Sequence, residues 1–135
     1  MNFKLDEEHQ MIKDLVARFV REQLIPLEPS VLAREASTGM LSLLPQERER
    51  LDAMSRVIGL WGLDAPSEMG GHDLPVVAMV GVNEELARTI TPYDLPPDSP
   101  NLRMLMQTAN ESQRKRYLDP YARGETVSAI AISEP

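Results

Sequence analysis

The sequence predicts an all-α domain, about five helices packed as an up-and-down bundle, with a short C-terminal β-strand that begins a further β domain. Three observations lead there. From Asp6 to about Gly124, apolar residues recur at steps of three and four, which is the spacing of one helix face. Segments rich in proline or glycine, at 37–45, 64–72 and 91–100, separate those stretches. Only after Gly124 does the pattern alternate with the period of a strand.

Asp6 caps the first helix, and Glu7 and Glu8 sit where the positive end of the helix dipole favours acids. Met11, Ile12, Leu15, Val16, Phe19, Val20 and Leu24 form its apolar stripe. Pro26 ends or kinks it, because proline lacks the backbone donor and collides with the preceding turn; a short helix resumes over 29–36. A second helix starts near Gln46 with Leu51, Met54, Val57 and Ile58 inward, and frays where Gly59 and Gly62 flank Leu60 and Trp61.

The stretch 64–72 is a loop whose paired glycines, Gly70 and Gly71, allow tight turns. Asp73 is expected to cap a third helix that opens at Leu74-Pro75 and runs to about Thr89, with Val76, Val77, Val80, Ala87 and Ile90 on its buried side. Four prolines between 91 and 100 impose an extended or turning chain. Ser99-Pro100 starts a short fourth helix with Leu102, Leu105, Met106 and Ala109 inward. Asn110 to Gln113 has a capping-box pattern that opens the fifth, where Tyr117, Leu118 and Tyr121 make contacts, Pro120 disturbs the last turns and Gly124 terminates. In the strand, Val127, Ala129 and Ala131 face one way, Ile130 and Ile132 the other. A fold closing there would leave an unpaired edge, so the chain is expected to be the front part of something larger.

At 135 residues the chain fits one domain, and 42% hydrophobic with 26% charged residues excludes a disordered class. Aromatics are scarce at 4%, so methionines such as Met79, Met104 and Met106 fill the core. A net charge of −7 argues against nucleic acid as a partner, and Arg114-Lys115-Arg116 is read as a solvated face. The absence of cysteine removes disulfides and thiolate chemistry, while His9 and His72 are too far apart in sequence to suggest a metal site. The polar start is unlike a secretory signal, and the longest apolar run, 76–82, is too short to span a bilayer; a cytoplasmic or organelle-matrix location is expected by default.

Chemical equipment is sparse. No Ser-His-Asp set or phosphate loop is recognisable, and Gly70-Gly71 lacks the strand-to-helix setting of a dinucleotide fingerprint. Glu84 and Glu85 point to different azimuths and are read as solvated or surface-paired. No catalytic residue is assigned. Ser133-Glu134-Pro135 puts a hydroxyl at a strand end, where it could serve a ligand or simply mark the exit to a turn.

Several segments together resemble the N-terminal helical domain of the acyl-CoA dehydrogenase family. These are Leu24-Ile25-Pro26, the glycine-leucine, proline and Gly-Gly pattern over 58–71, and Asn83-Glu84-Glu85-Leu86-Ala87-Arg88. The most specific are 110–125 and the 129–135 strand, similar to the family's capped helix, Gly-Glu turn and Thr-Glu-Pro strand. The resemblance implies residues 1–125 as the helical domain and 126–135 as the first strand of the middle β domain. It also implies an FAD-dependent oxidoreductase that desaturates an acyl-CoA, passes electrons to an electron-transfer flavoprotein and assembles as a homo-oligomer. Ile130, Ile132 and Ser133 would meet the flavin, Ser133 in place of the usual threonine, and Leu102, Leu105, Met106 and Ala109 would wall the acyl cavity. The family's catalytic glutamate belongs to its C-terminal domain, so this chain alone is expected to be inactive. Acyl-CoA oxidase or flavin monooxygenase chemistry on the same fold, and a non-enzymatic helical interaction module, are the alternatives.

Overall fold

The computed structural model describes residues 5–97 and 101–129. Among them the chain forms five helical rods. The first is compound: α1 (Glu7–Phe19), a π-turn (Val20–Leu24), a 3-10 turn (Ile25–Leu27) and α2 (Glu28–Thr38). Then come α3 (Pro45–Val57), α4 (Val76–Leu86) and α5 (Leu102–Thr108). The last rod joins α6 (Glu111–Gln113), a second π-turn (Arg114–Leu118) and α7 (Asp119–Ala122). The expected all-α class holds. Residues 126–129 carry no regular secondary structure, and the remainder of the expected strand lies outside the described residues.

Local chemistry explains the ends. The Asp6 side chain accepts from the His9 amide at 2.8 Å, filling one of the helix's orphan donors. Asn110 and Gln113 form a reciprocal capping box, with bonds of 2.9 and 3.0 Å. At α3 only half such a box exists, since the Glu47 carboxylate accepts from the Leu44 amide at 2.8 Å. That carboxylate also takes the Arg34 guanidinium at 2.8 and 3.3 Å, joining α2 to α3.

The helices bury two separate apolar clusters. The larger joins Val16, Phe19, Val20 and Leu24 of the first rod to Leu51, Leu60, Leu63, Val82 and Tyr93. Full burial of a side chain such as Leu24 stabilises by about 2 kcal/mol. The smaller joins Leu102, Leu118, Tyr121 and Ala122 to Ala65. The loop between α3 and α4 feeds both. It folds back on itself through bonds from His72 to Gly62, Leu74 to Leu63 and Asp73 to Ala65, each donated by an amide to a carbonyl.

Some expected inward faces are corrected. On α4 the buried residues are Ala78, Gly81, Val82 and Glu85, while Val76 is 82% exposed and Val77, Val80 and Ile90 are exposed as well. Residues 76–82 are apolar all round, so periodicity gave no direction, and the small residues face α1 because they allow close approach. Val57, Met11 and Tyr117 are also exposed. Asp73 does not cap α4, whose preceding residue is Pro75; it has φ 51° and accepts from the Ser67 amide instead. Glu85 is buried rather than solvated.

A Cβ on Gly71 would lie 2.1 Å from the Ala65 carbonyl oxygen, whereas one on Gly39 meets nothing within 4 Å. Gly71→Ala is therefore expected to cost about 3 kcal/mol through overpacking, and Gly39→Ala about 1–2 kcal/mol from its left-handed backbone alone. Urea midpoints of the two variants check the order; equal shifts would mean that the loop gives way.

Candidate functional site

Three clefts border the elements expected to matter. The first, about 820 Å³, runs along α1, where Met11, Ile12, Leu15 and Leu63 form an apolar floor beside Gly59 and His72, and Glu8, Asp14, Arg18 and Arg21 form a charged rim. The second, about 730 Å³, lies between α3, α4, the Pro96–Pro97 turn and Gly124–Val127. Met79, Val82, Leu86 and Leu95 make its floor, and Arg48, Asp52, Asp64, Asn83 and Asp94 its polar edge. The third, about 330 Å³, lies between the 66–73 loop and α5, where Arg103, Met106, Gln107 and Arg114 face Glu68 and Asp73.

Of the residues expected to wall an acyl cavity, Leu102 is fully buried and anchors α5 in the smaller cluster. Leu105 and Met106 pack on that cluster half-buried, Met106 also borders the third cleft, and Ala109 is half-buried at the end of the helix. Ile130, Ile132 and Ser133 lie outside the described residues.

A residue that periodicity did not single out stands behind the edge of the second cleft, bonded to Asp52 that lines it. Tyr93 is buried and donates its hydroxyl to Asp52 at 2.9 Å, with the Arg48 guanidinium 5.7 Å from its ring. Burial pushes the Tyr93 hydroxyl well above the usual tyrosine range, so it stays a neutral donor. A lone tyrosine amid prolines gave no sequence signal for this role. Across the α1–α4 contact, Lys13 reaches Glu84 at 2.7 Å and Glu85 at 3.8 Å, and Arg88 holds Glu85 at 2.9 Å. The Lys13 hydrogen bond holds the Glu84 carboxyl below its ordinary range.

Around the third cleft, Asp73 accepts from the Ser67 amide and from Arg103, both at 2.8 Å. Those bonds, the backbone one first, pull its pKa down from 3.8 to about 2. Among the described residues no group of acids and histidines is placed to hold a metal, and no helix is long and apolar enough to cross a membrane.

The first two clefts have apolar floors, and at the edges of the second and third Asp52 and Asp73 are held by Tyr93 and Arg103. The family follows from comparison: residues 6–125 match the acyl-CoA dehydrogenase N-terminal domain, and the chain belongs to that family. It is 36% identical to (R)-benzylsuccinyl-CoA dehydrogenase of Thauera aromatica, over all of this chain and 35% of that protein. It is 29% identical to mitochondrial isovaleryl-CoA dehydrogenase of Pongo abelii, over 97% of this chain and 30% of that one. A solved structure of a putative acyl-CoA dehydrogenase from Mycobacterium abscessus shares the fold with a TM-score of 0.73 at 24% identity, over 90% of this chain and 33% of that chain. The chain thus spans about a third of the length of these relatives.

Because the folded pKa of Asp73 lies below its unfolded one, its stabilisation is present above about pH 4 and lost as pH falls through about 2. Asp73→Asn keeps an acceptor and tolerates the left-handed backbone but removes the charge. The variant is expected to be less stable than wild type at pH 7, the gap closing between pH 4 and 2, as thermal melts across that range will show.

Proposed function

We propose that this chain is the N-terminal helical domain of an FAD-dependent acyl-CoA dehydrogenase, with residues 1–125 as that domain and 126–135 opening the β domain. The observation that carries the reading is the family match over 6–125, which spans every described helix. The names of the relatives favour a CoA thioester of a branched or aryl-substituted acid, such as a substituted succinate.

FAD, when bound, supplies the acceptor for the hydride leaving the β-carbon. This chain contributes contacts. Ile130 and Ile132 offer apolar surface and Ser133 one hydroxyl donor, a set suited to a flat ring with a polar edge. Leu102 fixes α5 in the smaller cluster, and the half-buried Leu105, Met106 and Ala109 of that helix would wall the acyl group and keep water from it. The base that removes the α-proton comes from the C-terminal domain. Electrons leave to an electron-transfer flavoprotein, and the enzyme works as a homo-oligomer in the cytoplasm.

The full gene product is expected to purify with flavin and to bleach its absorbance when a branched or substituted acyl-CoA is added without oxygen. The 135-residue chain alone is expected to hold no flavin. Ser133→Ala should weaken flavin binding by about tenfold, the size of one lost hydrogen bond. A full-length protein free of flavin, or one that no acyl-CoA bleaches, would refute the reading.

A further inference from the structure

We propose that Arg56 and Trp61 form a latch holding one lobe of the domain, α5 to α7, against the other, α1 to α4, with the 58–74 loop as the hinge. The two apolar clusters divide along this line. The larger draws on α1, α3, α4 and Tyr93, the smaller on α5 and the last rod. Among the described residues the loop alone contributes to both, through Leu60 and Leu63 on one side and Ala65 and Met69 on the other. Two lobes with separate cores can shift without breaking either core, because packed interiors resist deformation more than the seams between them.

The seam is held at the C-terminal end of α3. The Arg56 guanidinium lies over the Trp61 ring, 3.0 Å from its centroid, and donates to the Arg123 carbonyl at 2.7 Å. Gly124 follows with φ 71°, and a Cβ there would stand 2.6 Å from the Trp61 ring. One planar cation therefore stacks on the hinge and ties down the turn after α7. Lysine lacks the flat fork that does both at once. This reading rests on packing and is independent of any flavin. Where the proposed function also holds, the latch sets how closely α5 approaches the acyl group.

Trp61 is the one tryptophan in the chain, so its fluorescence reports the latch. In Arg56→Ala, amide exchange in 101–122 is expected to accelerate about tenfold, from loss of a cation–π contact and a charged hydrogen bond. Exchange in α1 and α4 stays at the wild-type rate, and Trp61 emission moves to the red. Arg56→Lys falls between the two. Unchanged exchange in 101–122 overturns the proposal, and so does equal acceleration in both lobes, which marks general loss of stability. Neither measurement needs flavin or substrate, so failure here is distinct from failure of the enzymatic reading.

Discussion

The structure turns on one close approach, the backbone of Gly71 against the Ala65 carbonyl. It lets the loop after α3 double back, so that His72 bonds to Gly62 and Leu74 to Leu63. Buried loops usually fail because their polar backbone finds no partner. Here the loop satisfies itself, and its side chains are free to enter both clusters. Leu60 and Leu63 complete the core of α1, α3 and α4, and Ala65 seats Leu102 and Tyr121.

A second constraint comes from prolines set inside helical rods. Pro26 and Pro120 each follow a π-turn, closed by bonds from Ile25 to the Val20 carbonyl and from Asp119 to the Arg114 carbonyl. Widening the turn before a proline relieves its clash with the preceding carbonyls, so the rod bends without stopping. The change in bonding also frees the Leu24 carbonyl, since Glu28 donates to Ile25 instead. The Thr91 hydroxyl takes it at 2.9 Å, and the Glu28 carboxylate accepts from the Thr89 hydroxyl and the Ile90 amide. The bend is thus joined to the end of α4, and Tyr93 is carried into the core beside Asp52.

Legibility in the sequence followed the range of the interactions. The caps at Asp6 and Asn110 and the stop at Gly124 depend on residues within a turn, and all were readable. The stripe of α1 was readable too, apart from Met11, because its polar face is distinct. The direction of α4 was not, since an all-apolar helix is oriented by its neighbour, and α1 selects the side with Ala78 and Gly81. Asp73 looked like a cap because it precedes Leu74-Pro75, yet its carboxylate is taken by Ser67 and Arg103, 6 and 30 positions away. The family was legible from motif order. The clefts were not, because their walls come from segments distant in the chain.

Among the described residues the buried polar side chains are held by partners. Glu85 is held by Arg88 and Lys13, and Tyr93 is kept protonated by burial while it serves Asp52. Thr91 is bonded to Leu24. Tyr93, kept neutral by burial and committed to Asp52, is poorly suited to general acid–base transfer. What the fold fixes is geometric: where α5 stands, and where the chain leaves the turn after α7. Geometry of that kind has large leverage, because a displacement of about 1 Å far from the reacting atoms can change a rate by about a hundredfold. The two bent rods and the Arg56–Trp61 contact restrict such displacement.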